Sequence, residues 1–84
     1  MVDSYKEIIS NHITSKCPEV IRCYHISNDY GNVLYFAFEY SFNVWGYSNE
    51  DRDKLKGLIR DELTYLLAML GFWENEYYVL VNLC

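Results

Sequence analysis

The side chains with the widest chemical range in this chain are two histidines, His12 and His25, and three cysteines, Cys17, Cys23 and Cys84. Gathered together they could hold zinc. Structural zinc sites, however, draw on paired ligands such as Cys-x-x-Cys, and neither that spacing nor a helical His-x-x-x-His occurs here. Cys23-Tyr24-His25 does set two ligand types on one side of any extended segment that contains them. Nucleophilic catalysis needs a cysteine or serine beside a base and an orienting group, and no serine is flanked by glycines. Adjacent acids at Asp61-Glu62, Glu50-Asp51 and Glu74/Glu76 could do acid–base work, but on a helix such pairs ordinarily form a solvated face. The four glycines, at 31, 46, 57 and 71, are scattered, so there is no phosphate-cradling loop. The expectation is no enzyme, no metal and no cofactor. The one competing reading is a small enzyme or ligand-binding domain centred on His25, with Cys23 and Glu39.

Charge narrows the partners. Twelve acids against seven bases leave a formal charge of −5. Nucleic acid needs a basic stripe to neutralise phosphates, and an anionic membrane needs the same, so direct contact with either is not expected. The only basic cluster, Arg52, Lys54, Lys56 and Arg60, is interleaved with acids and reads as a charge-laced helix face. A basic protein is the natural complement, because opposite fields speed encounter. The odd cysteine count without framework spacing favours reduced thiols. The opening residues show no basic stretch followed by an apolar one. Both point to the cytoplasm.

Eighty-four residues predict one domain, 1–84. Ser4 and Glu7 fit a capping box that starts a helix over residues 4–15, with Tyr5, Ile8, Ile9, His12 and Ile13 on one face. Pro18 stops it. From Val20 the period becomes two, and Asn28-Asp29-Tyr30-Gly31 suits a type I turn closed by a left-handed glycine. That turn would pair Ile26 with Leu34, Tyr24 with Phe36, Arg22 with Phe38 and Val20 with Tyr40, with Arg22 stacked over Phe38. The alternation Leu34, Phe36, Phe38, Tyr40, Phe42, Val44 predicts a core-facing strand about 12 residues long. Ser48 or Asn49 can cap a long helix. Leu55, Leu58, Ile59, Leu63, Leu66, Leu67 and Leu70 would be its buried stripe, and Gly71 its stop. Tyr77–Leu83 reads as a third strand. Gly57 inside the helix suggests either close approach of another backbone or drift.

The predicted fold is α+β: a two-layer sandwich of order α-β-β-α-β, with both helices on one face of a three-stranded sheet. A split strand order with the first strand central is preferred. The uncovered face would carry Ile21, Cys23, His25, Tyr35, Ala37, Glu39, Trp45, Tyr78 and Leu80, a half-apolar set of the kind interfaces present. Aromatics make up 18% of the chain, more than so small a core easily hides. Trp73, beside Glu74 and Glu76, is either a binding anchor or a cap over the helix end.

The function expected from these features is a non-catalytic protein-binding module, an acidic inhibitor or regulator of a basic, nucleic-acid-handling protein. In size and charge the chain resembles small acidic inhibitors of phages and mobile elements, such as anti-CRISPR proteins and nuclease immunity proteins; no motif carries the likeness. Candidate partner-binding residues are Asn28, Asp29, Tyr35, Glu39, Trp45, Trp73, Glu74 and Glu76. The alternative is a self-associating structural or accessory subunit, a homodimer through the open sheet face or an uncovered strand edge.

Overall fold

The computed structural model describes residues 2–71 and 78–83. Helix α1 (Val2–Lys16) is followed by β1 (Val20–Tyr30), β2 (Val33–Tyr40), a short 3-10 helix (Phe42–Gly46), α2 (Asn49–Met69) and β3 (Tyr78–Leu83). The order is the expected α-β-β-α-β, with a mixed sheet: β1 pairs antiparallel with β2, and β3 pairs parallel with β2. Residues 2–71 and 78–83 contain no helix long and apolar enough to cross a membrane.

The core explains the layering. Leu34, Phe36 and Phe38 of β2 share one buried cluster with Ile9 and Ile13 of α1 and with Leu55, Ile59, Leu63, Leu66 and Leu67 of α2. Side chains alternate across a strand. Both helices therefore lie against the face of β2 that carries Leu34, Phe36 and Phe38. Ser48 caps α2, its hydroxyl accepting the Asp51 N–H at 3.1 Å, with Glu50 and Asp51 in the positive first turn. Gly71, at φ 94°, takes the left-handed stop.

Six details depart from the sequence expectation. The central strand is β2, not β1. The outer edge of β1 is already occupied by α1: the Ser10 hydroxyl donates to the Cys23 carbonyl (3.2 Å) and accepts the Cys23 N–H (2.8 Å), while Lys6 Nζ reaches the Tyr24 carbonyl at 3.5 Å. A third strand has no room there.

The hairpin register also differs. It begins as expected at Val20↔Tyr40, then slips through irregularities between Val20 and Arg22, Cys23 and His25, and Ser27 and Tyr30. Each inserts residues into β1 only. Arg22 consequently sits opposite Glu39 and bonds it at 2.7 Å instead of stacking on Phe38. Cys23 moves to the buried side, opposite Phe38.

The turn is shorter than expected. β1 runs to Tyr30, which pairs with Val33, leaving Gly31-Asn32 as a two-residue loop. Gly31 has φ 61° and among the described residues no non-glycine residue, Asn32 included, has positive φ, which is the dihedral pattern of a II′ hairpin turn. The Asn28 amide, with its nitrogen turned inward, donates to the Gly31 and Val33 carbonyls at 2.6 and 3.0 Å.

β2 ends at Tyr40 rather than continuing to Val44, and the chain coils into the 3-10 helix instead. Finally, α1 begins at Val2, placing Ser4 inside the helix and not at its cap. Ile8 and Leu58, expected in the core, are exposed.

The Ser10–Cys23 pair predicts a measurable cost. Ser10→Ala leaves a part-buried N–H without its partner, which should destabilise the fold by about 1–3 kcal/mol, read as a lower urea midpoint at unchanged slope. An unaltered midpoint would mean that water serves this edge equally well.

Candidate protein-binding surface

The most prominent surface feature lies where β2 stops. Ser41 is held by its N–H to the Glu19 carbonyl at 2.8 Å. The 3-10 helix that follows is pinned by Val44, whose side chain is fully buried in the core. A three-residue turn cannot bury neighbouring side chains on the same side. With Val44 turned in, Phe42 and Trp45 are driven outward, 82% and 73% exposed. Trp45 leans on Tyr40, ring centroids 6.5 Å apart, and the Arg52 guanidinium covers Tyr40 at 5.6 Å. This stack holds Trp45 in place without covering it.

Acids flank this projection. Glu19 accepts the Tyr47 hydroxyl at 3.3 Å. Glu19, Tyr47, Asp51, Lys54, Leu55 and Leu58 line a shallow depression of about 390 Å³ beside it. Burial, and then Glu19, push the Tyr47 hydroxyl above its ordinary pKa. Two outward aromatic rings, followed in the chain by Tyr47 and a hollow whose lining carries two carboxylates against one ammonium, can grip an apolar contact while attracting positive charge.

The open sheet face is less continuous than the sequence suggested. Register places Ser27, Tyr35 and Leu80 in one row and His25, Ala37 and Asn82 in the next. Ala37, although outside the core cluster, is only 1% exposed, its methyl screened by longer neighbours. His25 meets the Tyr35 ring edge-on at 6.1 Å. Tyr78 and Leu80 remain exposed, and the Arg22–Glu39 ion pair occupies another part of the face. Cys23, expected here, lies on the opposite side.

The predicted site residues therefore divide. Trp45 is presented for contact, and Tyr35 is half-buried on the open face. Asn28 ties the hairpin together and Glu39 is engaged by Arg22. The side chain of Asp29, together with Trp73, Glu74 and Glu76, lies outside the described residues. Phe42, Glu19 and Asp51 are additions. The unbroken alternation assigned Phe42 to the core; Ser41, Asn43 and Gly46 around it, all turn-favouring types, were the signal that the strand stops.

The His25-centred reading loses its geometry. Cys23 is buried among core residues while His25 is exposed on the other face, and Glu39 pairs with Arg22. His12 meets Glu62 at 3.0 Å, half-buried between the two helices. No cluster of three metal-binding side chains occurs among the described residues. Burial raises the Cys23 thiol to about 11, against a lowering by its bond to the His25 carbonyl and by Lys6. Cys17 is raised as well, by burial and then by Glu19 and Glu62. The thiolate is the nucleophile, so neither cysteine is activated.

Iodoacetamide at pH 8 should leave Cys17 and Cys23 unmodified in the folded protein and modify both in urea, as read by peptide mass mapping. Because the folded Cys23 pKa lies above its ordinary 9.0, its contribution to stability is complete below pH 9 and is lost as pH rises from 9 towards 11. Rapid native-state alkylation of Cys23 would contradict its burial. No protein-family model matches the chain, and neither does any curated protein or solved structure.

Proposed function

We propose that this chain is a non-catalytic protein-binding module, an acidic inhibitor or regulator that docks on a basic, nucleic-acid-handling protein. The observation that carries the proposal is the pair Phe42 and Trp45, held outward by a core-anchored turn beside Glu19 and Asp51. Large exposed aromatics are costly to leave in water: each buries 150–250 Å² when covered, at about 25 cal/mol per Å². A rigid mount also lowers the entropy lost on docking. The net charge of −5 supplies long-range attraction to a basic surface, and Trp45 supplies the kind of anchor on which interfaces concentrate their energy. Tyr35 on the open sheet face, and Trp73, Glu74 and Glu76 by their chemistry, extend the proposed contact set; the cytoplasm is its proposed setting.

The test is affinity capture from the host with the wild-type chain and with Phe42→Ser and Trp45→Ser variants. The expected catch is a basic, nucleic-acid-binding protein. With that partner purified, either truncation should weaken binding by about 30-fold or more, the effect of a hot-spot side chain worth some 2 kcal/mol. Added salt should slow association. Equal binding by wild type and variants, or a partner lacking basic character, would sink the proposal.

A further inference from the structure

The two edges of the sheet are treated differently. On the β1 side, register irregularities and the side chains of Ser10 and Lys6 consume the outward backbone groups around Cys23 and Tyr24. Blunting of this kind prevents strand addition. On the other side, β3 is the last strand of the sheet among the described residues. The Tyr78 N–H donates to the Asn32 carbonyl of the β2 side at 2.7 Å. Backbone groups alternate along a strand, so those of Val79, Val81 and Leu83 turn outward. The edge segment Tyr78–Leu83 contains no charge, no proline and no register irregularity. The strand itself therefore carries none of the protections of charge, proline or bulge that discourage pairing.

Alongside this edge runs a groove of about 210 Å³, lined by Val79, Leu80 and Val81 and by Asp53, Lys56, Gly57 and Arg60 of α2. We infer that the groove takes a second copy of this chain: β3 pairs antiparallel with β3 of the partner about a twofold axis, giving a continuous six-stranded sheet with the two α2 helices side by side. The groove, centred on Leu80, sets the axis at that level, where Val79 of each chain faces Val81 of the other. The same level on α2 is the span 53–60, which has Gly57 near its middle. Two antiparallel copies of that span bring Asp53 of each chain opposite Arg60 of the other. Among the described residues neither Asp53 nor Arg60 forms an ion pair within the chain. Gly57 fits the same arrangement. A methyl group added there would meet nothing within 4 Å, so no contact among the described residues calls for a glycine in mid-helix, whereas close approach of a second helix accounts for it. This interface is separate from the Phe42–Trp45 projection and stands or falls independently of it.

Sedimentation equilibrium across micromolar to millimolar concentration tests the inference, with circular dichroism confirming each variant's fold. Wild type should reach twice the chain mass. Val81→Pro removes an outward N–H while leaving the ladder to β2 intact, and should remain monomeric. Arg60→Asp places like charges opposite each other and should weaken the dimer at least tenfold, and Asp53→Arg combined with Arg60→Asp should restore it. A wild type monomeric at millimolar concentration would overturn the inference. So would a dimer indifferent to both single variants, or an Arg60→Asp defect that Asp53→Arg fails to repair.

Discussion

Covering Phe36 and Phe38 is the constraint from which the rest of this structure follows. Both side chains project from the same face of the central strand and are almost wholly buried. A sheet face bearing two adjacent phenylalanines cannot remain in water, and the described residues supply two helices with which to cover it. Ile9 and Ile13 come from one, Leu55, Ile59 and Leu63 from the other, and all meet in a single cluster. With both helices committed there, no further helix among the described residues is left to cover the reverse face or the end of β2. Surface aromatics follow from a shortage of covering elements.

That constraint was legible because it is periodic. Leu34, Phe36 and Phe38 alternate cleanly, and the α2 stripe at Leu55, Ile59, Leu63 and Leu66 keeps helical spacing. Both signals are local and both correspond to buried residues. The hairpin register was less legible. A bulge adds a residue without changing composition, so Arg22 and Cys23 look like members of an ordinary alternating strand until the extra residues in β1 shift them. Phe42 misled for a related reason: it continues the period of β2, but the backbone has already left the sheet at Ser41.

Strand order lay beyond local pattern altogether. A right-handed crossover through α2 allows β3 to lie beside β2 or beyond β1, and Tyr78–Leu83 is apolar enough for either. The deciding contacts are side chain to backbone, Ser10 to Cys23 and Lys6 to Tyr24, made by a helix that precedes the sheet. Polar residues on one helix close the outer edge of the strand that follows it, and no periodicity announces that. Of the candidate surface, Trp45 was recognisable by type, whereas its exposure depended on the inward turn of Val44.

The parallel pairing of β2 with β3 joins residues separated by more than half the chain. Closing so long a segment costs more entropy than closing the Gly31-Asn32 hairpin, and it is slower. The hairpin with α1 against it can therefore organise first, as a kernel built from near neighbours, while one flank of β2 waits bare. On a translating ribosome that flank leaves the exit tunnel well before β3, the strand that covers it among the described residues, so the vulnerable interval in the life of this molecule falls between emergence of Tyr40 and emergence of Leu83.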